Sequence, residues 1–513
     1  MLWRMFRGCA LLLLLGPLVA GCVSVPREYP RTPSTALPDP ESTGLGRYTA
    51  ELAATHPGDS GFALIRHGRP AFTARVAFSE LAEKTLDLQY YIWEADATGR
   101  ILAERLVRAA DRGVRVRVLL DDVNLEGRDA VIASLDAHPN IEIRLFNPFG
   151  HRSAHILDFI TDFERVNHRM HNKLMVADNA VAIVGGRNVG DDYFQVATDA
   201  NYRDLDIAAL GPVVRDISAV YDHFFNGDWA VPIAALVDRP YTESDLQSAL
   251  QTMRKRIAED AYPYPLDQEA DELKAEIRAM ENKIVWAPGM VVWDDPASID
   301  REGRTTRLNE ALHKRVGLLE NELLLEAAYF VPRDRAIETM RELNERGVRL
   351  RVLTNSMASN DVVAAHAGYA NRRKEMLESG VALYELRPDA GSVRKRIFVG
   401  TSKAALHTKA IVFDRKDVFI GSFNLDPRSG DINTEAGLYI ESPELAHQLI
   451  AHMDEGVSPQ DSYRVRLDEN GDLYWVTEDE NENETRFEHD PGSTVWQRSV
   501  IGIIQLLPIE GQL

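Results

Sequence analysis

The sequence predicts an α/β protein of two duplicated lobes. Each lobe is expected to be a mostly parallel mixed sheet flanked by helices, and the pair to pack with pseudo-two-fold symmetry around one active site. Three observations lead there. At 513 residues the chain is too long for one core. The octapeptide RGVRVRVL at 112–119 returns as RGVRLRVL at 346–353, 234 residues later. A longer pattern, HNKLMVAD…GGRN from His171 to Asn188, returns as HTKAIVFD…GSFN from His407 to Asn424 with the same internal gaps. Two distant matches at nearly one offset mark a tandem duplication.

The elements follow in chain order. Residues 1–21 carry Arg4 and Arg7 and then an apolar run to Ala20, the layout of a secretory signal peptide. Residues 22–47, rich in Pro, Ser and Thr, read as a flexible tether. The first lobe spans 48–232. It opens with an apolar strand, LDLQYYIW, then a helix of 3.6-residue periodicity that stops at Gly113, then the valine-rich strand of the octapeptide. Charged helices at 233–282 link it to a second lobe at 283–450, where ELLLEAAYFV, a helix ending at Gly347 and RGVRLRVL repeat the order. Strand, helix, strand implies parallel pairing with helical cover. Residues 451–513 form a C-terminal hairpin and tail, with the turn at Asn470-Gly471.

Composition narrows the function. Apolar content of 45% and charged content of 27% are those of a folded globular protein. A formal charge of −21 argues against a nucleic-acid partner, whose footprint is positive. Loss of residues 1–21 would remove two further arginines. The two cysteines, Cys9 and Cys22, lie at the N-terminus, so the body can form neither an internal disulfide nor a cysteine metal site.

The repeated motif carries the chemistry. In an extended chain His171 and Lys173 face the same way, as do His407 and Lys409. Asp178 and Asp414 have the opposite parity and are expected to hold a strand end or a neighbouring element. Gly185-Gly186 and Gly421-Ser422 allow close backbone approach, and Asn188, Asn424 and Ser422 add donors. Brought face to face, the copies would give a pocket suited to a phosphodiester. The lysines neutralise its oxygens, one histidine attacks phosphorus and the other protonates the leaving oxygen, with no metal or other cofactor required.

These paired motifs resemble the HKD motifs of the phospholipase D superfamily. LDLQYYIW, NYRDLDI, HAGYANRR, GSFNLDPRSGDINTE and LLPIEGQL resemble its cardiolipin synthase branch, in a lipoprotein-like form. The stretch VAGC at 19–22 resembles a lipobox, which implies lipid on Cys22 and a site in the cell envelope, on the periplasmic side, with the outer membrane favoured. The resemblance implies a phosphohistidine intermediate, with His171 as nucleophile and His407 as acid and then base. It implies that Glu435 and Asp204 orient the histidines, Asp206 being the alternative to Asp204. Gly186 stands where the second copy has Ser422, so the pocket is expected to lack one hydroxyl donor. The implied activity is a phosphatidyltransferase making cardiolipin from phosphatidylglycerol and a second phospholipid. A hydrolytic phospholipase D and a secreted nuclease are the alternatives. Membrane phospholipids are the expected partners.

Three further groups complete the reading. His366 and Tyr369 read as helix-packing residues. Arg165, His168, Arg169, Arg394, Lys395, Arg396 and Lys403 precede the motifs as either solvated surface or attractors of anionic headgroups. HILDFITDF, 155–163, reads as core packing, with a lipid-facing entrance as the other reading.

Overall fold

The computed structural model describes residues 25–505 apart from 27, 267, 269, 300–306, 395–401 and 479–482. The leader with Cys22, Lys395, Arg396 and the terminal LLPIEGQL therefore lie outside the described residues, as does the side chain of Arg394. No described helix is long and apolar enough to cross a membrane.

The first sheet takes β1 (Ser60–Ile65), β2 (Thr85–Tyr90), β3 (Arg115–Asp121), β4 (Ile141–Phe146), β5 (Leu174–Ala177) and β6 (Val181–Gly185). After β7 (Ala200–Arg203), which lies outside both large sheets, β8 (Asp206–Leu210) and β9 (Ala230–Pro232) rejoin it. A tenth strand, β10 (Val285–Ala287), joins its edge beside β1. The chain then changes sheets at Pro288. The second sheet takes β11 (Gly289–Trp293), β12 (Glu322–Ala327), β13 (Arg349–Asn355) and β14 (Val381–Leu386). After β15 (Lys403–Leu406) it gains β16 (Lys409–Phe413), β17 (Asp417–Gly421) and β18 (Ala436–Glu441). It ends in β19 (Ser462–Leu467), β20 (Leu473–Glu478) and β21 (Glu484–Phe487), with the β19–β20 hairpin turning at Gly471, φ +80°.

The α/β class and the duplication stand, but the sheets are mixed. Only β2-β3-β4 and β12-β13-β14 pair in parallel; the other neighbours in each sheet run antiparallel. The expectation of mostly parallel sheets therefore holds for the strands joined by helices and needs correction elsewhere. The motif strands turn back through three-residue connections, 178–180 and 414–416, too short for a parallel crossover. The two helices stop as expected. Gly113 (φ +93°) and Gly347 (φ +82°) let Val114 and Val348 donate back to Ala109 and Leu343, closing the last turn.

Strand parity assembles a layered molecule. In β5 and β6, Leu174, Val176, Ala182 and Val184 face one core, and Met175, Ala177, Val181 and Ile183 the other. In β16 and β17, Ala410, Val412, Val418 and Ile420 face that same central core, while Ile411, Phe413 and Phe419 face outward. The central core is thus shared by both lobes and filled by helices Pro212–Asn226 and Pro443–Gly456. Each large side chain buried there contributes roughly 1.5–3 kcal/mol, which locks the lobes together. The octapeptide repeat has a matching cause. Arg117 reaches Asp222 at 2.7 Å and Arg351 reaches Asp454 at 2.6 Å, so equivalent arginines pin equivalent central helices to their sheets.

The motif aspartates stand at the far end of β5 and β16 from the histidines. Each opens a tight turn with positive φ, 53° at Asp178 and 50° at Asp414. The Asp178 carboxylate accepts the amides of Glu83, Lys84 and Thr85 at 2.8–2.9 Å, at the start of β2. Asp414 does the same for Glu320, Asn321 and Glu322 at the start of β12, at 2.7–2.9 Å. Removing three charge-assisted bonds should cost about 3 kcal/mol or more. Asp178→Ala is therefore expected to lower the melting temperature and denaturant midpoint, with activity lost in step with folded protein. Unchanged stability with lost turnover would place Asp178 in the chemistry instead.

Candidate active site

Both histidines sit where the lobes exchange short extended segments. Arg169 and Met170, just before His171, run parallel to Thr434 of the second lobe, and the His171 amide donates to the Thr434 carbonyl at 2.8 Å. Reciprocally, β15, just before His407, pairs in parallel with β7, and the His407 amide donates to the Arg203 carbonyl at 2.8 Å. The residue after each of these partners is an acid. Glu435 lies 2.9 Å from His171 Nδ1, and Asp204 lies 2.7 Å from His407 Nδ1. Each histidine is therefore held by a carboxylate of the opposite lobe. Asp206 instead meets Arg75 at 2.9 Å and Arg187 at 3.3 Å, which settles the choice between the two aspartates geometrically.

The lysines complete the pair. Lys173 Nζ donates to the His171 carbonyl at 2.5 Å and Lys409 Nζ to the His407 carbonyl at 2.6 Å. All four motif side chains are more than 90% buried. Burial lowers the pKa of both lysines, Lys409 to about 8 against the pull of Asp204 and Glu435, and Lys173 well below its usual value. Burial, then Lys173 and Lys409, hold His171 well below the ordinary imidazole value. His407 is lowered by burial and Lys409, with Asp204 opposing.

The two halves are not equivalent. Burial pushes Glu435 up to about 7, against Lys173, and the hydroxyls of Ser422 (2.5 Å) and Ser429 (2.7 Å) hold it. The burial of Asp204 is outweighed by His407, Arg187 and Lys409, so it stays below the carboxylate range. His171 Nδ1 also faces the Ser422 carbonyl at 3.0 Å, which accepts only. That contact puts the proton on Nδ1 and leaves Nε2 with its lone pair. Around the rings, Tyr91 packs on His171 at 4.8 Å, while Tyr193 and Tyr202 pack on His407 at 5.1 and 5.0 Å.

Several expectations need correction. The Ser422 hydroxyl is no free phosphate donor, because Glu435 and the Ala436 carbonyl take it. Gly186 does not leave a donor missing; a Cβ there would come within 2.1 Å of Asp204 Oδ1, so the glycine makes room for the shorter acid. Asn188 is spent inside the protein, accepting from the Ile92 amide at 3.1 Å and donating to the Tyr193 hydroxyl at 2.9 Å. Asn424 differs: its Oδ1 is buried and has no partner among the described residues. Arg165 and Arg169 are not free headgroup attractors, since Arg165 pairs with Asp162 at 2.5 Å and Arg169 is buried against Asp121 at 3.2 Å. His168 Nδ1 lies 2.8 Å from the Ile432 carbonyl. His366 and Tyr369 are buried in helix Val363–Glu378, as read. Sequence reasoning passed over Tyr91, Tyr193, Tyr202 and Ser429. Tyr91, Tyr202 and Ser429 lie within LDLQYYIW, NYRDLDI and GSFNLDPRSGDINTE, so their nearness to the motifs was a usable signal; Tyr193 lies outside these stretches.

Two histidines, two lysines and two supporting acids, with the histidines backed across a pseudo-dyad, define a phospholipase D-type centre. The family model "Cardiolipin synthase, PLD-like domain" matches residues 79–229 and 319–456, and the chain belongs to this family of the phospholipase D superfamily of enzymes. It is 38% identical over 465 residues to cardiolipin synthase C of Escherichia coli K12, covering 90% of this chain and 97% of that one. It is 25% identical over 410 residues to a cardiolipin synthase of Geobacillus kaustophilus, covering 79% of this chain and 66% of that one. The fold matches the crystal structure of phosphatidylserine synthase from Haemophilus influenzae Rd KW20 with a TM-score of 0.57 and 14% identity, covering 91% of this chain and 100% of the other.

The space at Gly186 gives a direct check. Gly186→Ala should displace Asp204 from His407 and lower turnover by about tenfold or more while the protein stays folded. Turnover at the parent rate would show that Asp204 does not depend on this gap.

Proposed function

We propose that the enzyme is a phosphatidyltransferase that joins two phospholipids into cardiolipin through a phosphohistidine. The observation that carries the division of labour is the His171 Nδ1 contact with the Ser422 carbonyl, which frees Nε2 to attack. Nε2 of His171 attacks phosphorus of the donor, phosphatidylglycerol or phosphatidylethanolamine. The P–O bond to the headgroup breaks, and His407 gives that oxygen its proton. Asp204, ionised and 2.7 Å away, stabilises the imidazolium. In the second half His407 takes the proton from the terminal hydroxyl of an acceptor phosphatidylglycerol, which attacks the phosphohistidine, forms cardiolipin and regenerates His171. Lys173 and Lys409 meet the charge on the non-bridging oxygens, the work a metal does elsewhere.

Transfer must outrun hydrolysis, because water discharges the same intermediate. Support comes from the near-complete burial of all four motif side chains, which restricts water at phosphorus, and from the similarity to cardiolipin synthases over most of the chain. The lipobox at 19–22 supports a lipid anchor at Cys22 on the periplasmic face of the envelope, where acceptor lipids are concentrated.

Purified enzyme supplied with phosphatidylglycerol should yield cardiolipin in excess of phosphatidic acid, resolved by mass spectrometry. His171→Ala should abolish both products, and phosphorus trapped during turnover should map to His171. Phosphatidic acid dominating even at high phosphatidylglycerol would make this a phospholipase, and phosphorus found only on His407 would reverse the histidine roles.

A further inference from the structure

Most of the apolar side chains of segment 155–163 stand outside the core, although His155 and Asp158 are buried. Ile156, Leu157, Ile160 and Phe163 are 43–76% exposed. The segment is nonetheless firmly seated. The buried Asp158 carboxylate accepts the amides of Gly150 and His151 at 3.1 and 2.8 Å. Arg152 ties the preceding turn to Asp122 and Asp129. Phe159 packs on Phe149 at 5.5 Å, and the Arg169 guanidinium lies 4.7 Å from the centre of that same Phe149 ring. Arg169 bonds Asp121, which also accepts the amide of Met170, the residue before His171, at 2.8 Å. A continuous run of packed groups therefore joins this apolar tip to one histidine.

A second apolar patch is linked to the other histidine through Asp361 and Tyr202. Val362, Val363, Val495, Trp496 and Ile503 are 40–76% exposed. Their two helices meet where Ile501 packs with Ala367 and Met357. Asp361, next to Val362, accepts the hydroxyls of Tyr202 and Tyr329 at 2.9 and 3.0 Å, and Tyr202 packs on His407. Among the described residues, nine of the twelve exposed large apolar side chains fall in these two patches. A water-facing protein has no reason to place them on rigid elements at both flanks of one polar centre.

We propose that the two patches form one docking surface for a phospholipid leaflet, which holds the histidines at the boundary between headgroups and acyl chains. The proposal rests on the phospholipid reading above. Both patches are apolar, and Arg165 and Arg169 beside the first are internally paired, so attachment is driven by burial of apolar area more than by anionic lipid.

The test uses the full chain on phosphatidylcholine vesicles doped with phosphatidylglycerol. A tryptophan at Ile160→Trp should be quenched by acyl-brominated lipid beyond the parent's own tryptophans, and the quenching should persist in roughly 0.5 M salt, where exposed charges are screened. The triple variant Ile156→Glu, Ile160→Glu, Phe163→Glu should lose about tenfold or more in kcat/KM on vesicle lipid. It should keep the parent rate on monomeric dihexanoyl phosphatidylglycerol. Absence of quenching, equal loss on both substrates, or a dimer that dissociates in the triple variant would overturn the proposal, the last by assigning the surface to a second copy. Failure of the parent to turn over either lipid would overturn the reaction instead, while quenching would still report docking.

Discussion

The structure depends on a reciprocal exchange: each lobe supplies the histidine of one half-site and the carboxylate of the other. His171 with Glu435 and His407 with Asp204 are separated by 264 and 203 residues in the chain and by less than 3 Å in space. Neither lobe alone can assemble a supported histidine. The shared central core, with Leu174, Val184, Val412 and Ile420 facing one another's sheets, is what makes that exchange rigid enough for chemistry. The parallel pairing of β15 with β7, and of Met170 with Thr434, fixes the register in which acid meets imidazole.

Duplication produced a symmetric frame, and substitution then divided its labour. A longer acid, Glu435, sits under two serine hydroxyls and is raised by burial; a shorter one, Asp204, fits against Gly186 and stays ionised. The first arrangement suits a neutral imidazole that attacks, and the second an imidazole that gains and gives a proton. The tyrosines follow the same division, one at His171 and two at His407. Burial lowers the pKa of Lys173 and Lys409, and in the proposed reaction an arriving phosphate anion would favour their charged form in a site that water screens poorly.

Much of this was legible from residue types and spacing. The parity of His171 and Lys173 against Asp178 was legible, and the Asp178 carboxylate does hold a strand start away from the histidines, because side-chain alternation is a local property of extended chain. The strand–helix–strand units gave the parallel half of each sheet. The antiparallel half was missed because short reverse connections leave weaker marks than a helix with a glycine stop. Which lobe each acid serves was out of reach, since no local pattern at Asp204 or Glu435 encodes a contact across the chain. Segment 155–163 was misread as core for a related reason. Periodicity shows that an apolar face exists, not that a neighbour covers it. The roles of Ser422 and Gly186 depend on a single methylene of acid length, which only the assembled site reveals.

The central claim is that the two cross-lobe pairs do different work, and leaving-group chemistry tests it most directly. A phosphatidyl nitrophenyl ester expels an anion that needs no proton, whereas a natural headgroup alcohol does. Asp204→Asn should slow the natural donor by roughly 10²-fold or more, the scale of a lost acid catalyst, and lose far less on the nitrophenyl ester. Glu435→Gln, which disturbs the attacking His171, should slow both donors alike. Rescue of Glu435→Gln in place of Asp204→Asn, or equal losses in both variants with both donors, would contradict the account.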